Sequence, residues 1–158
     1  MADTNSGTDR IERSIEIAAP RARVWRALAD AQEFGSWFGV NLQGQAFAPG
    51  ARVRGNITHP GYEHLVFEVR VERIEAERLL SFYWHPYAID PQADYAQEEP
   101  TLVRFTLEDA PGGRTLLTVV ESGFDRVPAA RRLEAFRMNS AGWDAQVVNI
   151  ARHAGGQG

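Results

Sequence analysis

The chain has 158 residues, 44% of them hydrophobic and 24% charged, a balance that suits a packed core and excludes disorder over most of its length. Its net charge of −4 argues against a nucleic-acid partner, and the absence of cysteine excludes disulfides, thiolate metal sites and thiol nucleophiles. No apolar run has the length of a membrane span, and "MADTNSGTDR" lacks the apolar stretch of a secretory leader, so a cytoplasmic protein is expected. Residues 1–9 and the tail "AGGQG" (154–158) read as loose ends around one domain over 10–153.

In chain order, "IERSIEIAAP" alternates Ile11, Arg13, Ile15 and Ile17 with polar neighbours, the pattern of a half-buried strand. Pro20 opens a helix with Val24, Trp25 and Leu28 on one face. A short second helix, "AQEFGSWFG", crowds Phe34, Trp37 and Phe38 together. One further short strand is expected near Asn41–Phe47, followed by "ARVRGNITH". "HLVFEVRVERIEAE" then sets Leu65, Phe67, Val69 and Val71 on one side and Glu68, Arg70 and Glu72 on the other, as in a sheet with one wet face. "RLLSFYWH", "TLVRFTLED" and "RTLLTVVES" complete a meander, the last two joined at the turn "APGG". From Val127 the chain reads as one long helix, with Leu133, Phe136, Ser140, Trp143, Val147 and Ile150 as its apolar stripe.

An antiparallel meander with a dry face needs a cover, and the last helix is the only long amphipathic element left. The expected fold is therefore α+β: a curved antiparallel sheet wrapped around a long C-terminal helix, the helix-grip arrangement, with a cavity between them. Gly142, beside Trp143, weakens that helix by about 1 kcal/mol relative to Ala. It is expected to serve close packing against "ESGF" or the short second helix; the alternative is a solvent-facing glycine that merely weakens the helix.

"IERSIEIAAPRARVWRALADAQEFGSWFG" resembles the opening of START-like (SRPBCC) helix-grip proteins. "ESGF" at 121–124 and "GW" at 142–143 resemble the branch named for the activator of the heat-shock protein 90 ATPase. The resemblance runs over about residues 11 to 153 and implies the same fold. It spans lipid carriers, plant hormone and allergen proteins, polyketide cyclases and co-chaperone domains, so it leaves the function open.

The residues offer little conventional chemistry. Neither a phosphate-binding glycine loop nor a "GxSxG" elbow is present, and no cofactor is implied. His59 and His85 with Glu63 and Glu121 are the only grouping that suggests a zinc site, and structural or surface histidines are the better reading. An apolar-aromatic cavity remains, the usual form of a small-molecule site. Its expected lining is Trp37 and Phe38 from the short helix, and Phe67, Val69, Tyr83, His85, Phe105, Val119 and Glu121 from strands. The closing helix is expected to add Phe136, Asn139, Trp143 and Val147. Glu121 continues the row of Leu117 and Val119, so it needs either a buried partner or a place at the open rim. The stretch from Pro86 to Pro100 reads either as a solvated loop or as a lid.

Binding of a hydrophobic or aromatic small molecule is the function these features favour. An enzyme of the polyketide cyclase or hydrolase kind, with His85, Tyr83 or Glu121 as acid or base, is the second reading. A protein-interaction role is the third.

Overall fold

A computed structural model describes residues 9–88 and 92–156. Its elements run β1 (Arg10–Ile17), α1 (Arg21–Ala29), α2 (Ala31–Phe38), β2 (Arg52–Asn56), β3 (Val66–Glu75), β4 (Leu79–Trp84), β5 (Thr101–Ala110), β6 (Arg114–Ser122) and α3 (Ala129–Ala151). The strands form a curved antiparallel sheet in the order β1-β6-β5-β4-β3-β2. This is the expected helix grip. The short strand expected near Asn41–Phe47 is absent; one isolated bridge, Val40 to Ile57, stands in its place.

Period-two burial defines the dry face. Val103, Phe105 and Leu107 on β5 and Leu117, Val119 and Glu121 on β6 are each at most 2% exposed, in alternation with more accessible neighbours. On α1 the buried residues are Val24, Ala27 and Leu28, at the i, i+3, i+4 spacing of one helical stripe. Asp30 caps α2 by accepting a hydrogen bond from the Glu33 backbone N–H. Gly39, at φ 97°, ends the helix in the left-handed region and so sets where Phe38 stops. A side chain at Gly35 would place its Cβ 2.2 Å from the Val40 carbonyl oxygen, so only glycine lets the chain fold back this tightly.

Helix α3 buries Trp143, Val147 and Ile150, and the stripe continues to Ala154 in a π turn over Arg152–Gly156. The expected stripe needs correction at its start: Leu133 is 59% exposed, and Ala135 takes the buried position. The tail is also better anchored than its composition suggests. Ala154 is buried, and a Cβ on Gly155 would lie 3.0 Å from the Ala18 nitrogen, so the chain is held against the end of β1. At the other end, Asp9 accepts hydrogen bonds from the Gly123, Phe124 and Asp125 backbone. Residues 1–8 and 157–158 lie outside the described residues. No helix among the described residues is long and apolar enough to cross a membrane.

Candidate functional site

Where the ends of β3 and β4 meet the middle of α3, the grip does not close. A cavity of about 380 Å³ opens between Phe67 on β3, Trp84 on β4, Phe38 at the end of α2 and Asn139 on α3. Tyr87, Ala88 and Tyr95 from the connection between β4 and β5 close its outer side, and Arg54, Glu68 and His85 add polar groups. A smaller space of about 140 Å³ shares Phe38, Trp84 and Asn139 and extends to Gly142, Trp143 and Gln146. The two form one cleft, largely aromatic, with few polar groups.

Beneath this cleft lies Glu121, fully buried at 0% exposure. Its Oε2 accepts hydrogen bonds from Trp84 Nε1 at 2.7 Å and Thr101 Oγ1 at 2.6 Å. Its Oε1 accepts from Trp143 Nε1 at 2.8 Å and Asn139 Nδ2 at 3.0 Å. Four neutral donors from β4, β5 and α3 thus saturate one carboxylate, which compensates the cost of taking it out of water. Among the described residues no cation forms an ion pair with it. The geometric consequence is alignment: the Trp84 and Trp143 indoles stack at 5.8 Å and 29°, with both N–H groups turned to the same acid. Of the two placements open to Glu121 from sequence, the buried one with partners on the closing helix holds.

Arg131 and His85 hold the connection from Pro86 to Pro100. Arg131, in the first turn of α3, donates to both carboxylate oxygens of Glu98 and to the Pro86 carbonyl, with its guanidinium 4.8 Å over the Tyr95 ring. His85 Nε2 lies 3.0 Å from the Glu98 carbonyl oxygen. Thus Arg131 ties both Pro86 and Glu98, on either side of Tyr87 and Tyr95, to α3, and His85, just after β4, meets the Glu98 end. Ile89, Asp90 and Pro91 lie outside the described residues.

Of the side chains singled out from sequence, Phe38, Phe67, His85, Asn139 and Trp143 meet at the cleft. Asn139 spends its amide on Glu121, a structural duty as well as a lining one. Phe105, Val119 and Val147 are core, and Trp37 is core with its indole N–H donated to the Ala27 carbonyl at 2.8 Å. Phe136 packs edge-on against Phe124 at 5.3 Å, away from the cleft lining. Tyr83 needs correction. It pairs with Arg70, whose guanidinium sits 4.8 Å over its ring on the outer face, whereas Val69 is core at 1% exposure. Trp84 takes the inward place, and the parity signal was Leu80 and Phe82, which share its face. Consequently Tyr83 and Glu121 lie on opposite faces of the sheet and cannot act together as acid and base. The zinc grouping does not assemble either, since among the described residues no three His, Asp or Glu side chains converge on one point.

Gly142 overturns the packing expectation. A Cβ there would meet nothing within 4 Å, and the residue is exposed at the smaller part of the cleft.

A six-stranded sheet gripping a long C-terminal helix over an aromatic cleft places the chain in the START-like (SRPBCC) superfamily. Residues 18–155 match the family described as "Activator of Hsp90 ATPase homolog 1-like protein", and the chain belongs to that family. No curated protein is similar enough in sequence to count as a relative. Among solved structures, DynU16, from the dynemicin biosynthetic locus, is 26% identical over 92% of this chain, with a TM-score of 0.68; the match spans only 46% of DynU16. MLL2253 from Mesorhizobium loti is 25% identical over 91% of this chain and 95% of its own, with a TM-score of 0.67. The Aha1 dimer from Colwellia psychrerythraea, 14% identical with a TM-score of 0.69 over 94% of this chain and 98% of its own, shares the fold.

Proposed function

We propose that this protein binds a hydrophobic or aromatic small molecule in the cleft between Phe38, Phe67, Trp84 and Asn139. The observation that carries this reading is the cleft itself. At about 380 Å³ with an adjoining 140 Å³, it falls at the lower end of ordinary small-molecule sites. Its walls are largely aromatic. Of its polar groups, Asn139 and the two indole N–H groups are committed to Glu121, His85 lies against the Glu98 carbonyl, and Arg54 and Glu68 pair at its border. The likeness to DynU16 supports a small-molecule context without identifying the compound.

A thermal-shift panel of lipids, sterols, flavonoids and polycyclic aromatics tests this. A ligand at 100 times its dissociation constant adds about 2.7 kcal/mol to the folded state. For a domain of this size that raises Tm by several degrees. A saturable shift, lost when Phe38→Ala widens the wall, is the expected result. No shift across the panel contradicts the reading.

A further inference from the structure

Resting on that reading, we infer that the cleft selects a cation: an aromatic or aliphatic body carrying an ammonium group, in preference to its neutral or carboxylate analogue. Three observations converge on this. First, Glu121 lies directly behind the wall, and its hydrogen bonds come from neutral groups alone, so its charge is dispersed but not cancelled. A carboxylate held in a poorly screened interior acts on charge across an indole ring far more strongly than one in water. Second, the indoles of Trp84 and Trp143 line the cleft while donating their N–H groups to that acid. Donation from the ring nitrogen pushes electron density into the ring and makes its face a better partner for a cation. Phe38, Phe67, Tyr87 and Tyr95 surround the same space with further aromatic faces.

Third, the charged groups at the mouth do not oppose this. Arg52 and Arg54 share the Glu68 carboxylate at 3.4 and 3.9 Å, and both guanidiniums are exposed, so water screens them. Arg131 is engaged by Glu98. Glu99, beside Glu98 on the same connection, lies 3.9 Å from Arg126. The poorly screened field is that of the buried Glu121, and its sign favours a cation.

The test uses three probes of one shape: naphthylmethylammonium, naphthylmethanol and naphthoate, each titrated by calorimetry at neutral pH against the full chain. The expected order is ammonium about tenfold tighter than the alcohol, with naphthoate weakest. Glu121→Gln is expected to shrink the ammonium preference to within about threefold, with its fold checked by circular dichroism. Because that substitution disturbs four hydrogen bonds, Arg54→Gln serves as a second variant at an exposed side chain. Removing Arg54 takes one cation from the mouth while Glu68 keeps its pair with Arg52, and it is expected to widen the ammonium preference. Equal binding of the alcohol and the ammonium overturns this inference and leaves the aromatic cleft standing. Tightest binding by naphthoate, lost in Arg54→Gln, overturns it in favour of an anion site on Arg54. Failure of all three probes to bind overturns the inference and the small-molecule reading together.

Discussion

The two halves of the grip belong to one sheet but are finished differently. On the side of β1, β6 and α1, aliphatic residues fill the space: Ile11, Ile17, Val24, Leu28, Leu117 and Ile150 are each at most 3% exposed. On the side of β2, β3 and β4, large rings approach one another edge-on, such as Phe38 to Phe67 at 5.2 Å and Phe67 to Trp84 at 6.0 Å, and an open cleft remains beside them. Branched aliphatic chains interdigitate to crystal-like density, whereas flat rigid rings leave gaps unless another ring or a ligand completes them. The aliphatic half is thus filled, and open space remains beside the aromatic one.

The sharpest way to break this contrast is to remove one side chain from each half. Leu28→Ala, in the filled half, should cost about 2–5 kcal/mol in a denaturant titration and leave the affinity of the remaining folded protein unchanged. Trp143→Ala should cost about 3–5 kcal/mol and also abolish binding, because it takes away both a wall and a donor to Glu121. Equal effects of the two substitutions on affinity would erase the distinction.

A smaller effect is expected at the strap. Arg131→Ala removes a bidentate, largely buried pair with Glu98 and should cost about 2 kcal/mol. The more telling readout is limited proteolysis, with cleavage between residues 86 and 100 accelerated while the rest of the chain stays resistant. Uniform resistance would show that the strap is held by its own packing.

Gly142→Ala sharpens the comparison from the other direction. A Cβ at this position meets nothing, so the substitution should raise stability by up to about 1 kcal/mol, the helix-propensity difference alone. If the smaller part of the cleft is used, affinity for a bound aromatic should fall at the same time.

A modest acid sensitivity belongs to the filled half. Burial raises the pKa of Glu33, but hydrogen bonds from His153, Arg23 and Arg26 outweigh it and lower the value from 4.5 to about 2. A depressed carboxylate stabilises fully above its unfolded value, so this contribution is present above about pH 4.5 and disappears as pH falls towards 2. Glu33→Gln should flatten that part of the stability-versus-pH curve, measured by urea titration.

Much of the fold was legible because burial on each strand follows a period of two and burial on each helix a stripe. The site was legible only in part. Phe38, Phe67, Asn139 and Trp143 were found from their faces, but Trp84 was missed because "LLSFYWH" is apolar at both parities. The alternation could not decide which ring turned inward, and the cross-strand pairing of Trp84 with Thr101 did. Arg131 and Glu98 are 33 residues apart and share no local pattern. Gly142 misled for a physical reason: a glycine next to a tryptophan indicates space, but the sequence does not say whether backbone or a cavity occupies it.

The four tryptophans allow one direct test of the small-molecule reading, since Trp84 and Trp143 line the cleft whereas the Trp37 indole N–H is bound to Ala27 and Trp25 lies on α1. The measurement is a titration of the indole N–H resonances in a nitrogen-15 correlation spectrum with an aromatic ligand taken from the thermal-shift panel. Shifts confined to Trp84 and Trp143, saturating together with a single dissociation constant, are the predicted result. Shifts that fall on Trp25 or Trp37 instead, while Trp84 and Trp143 stay in place, would contradict it.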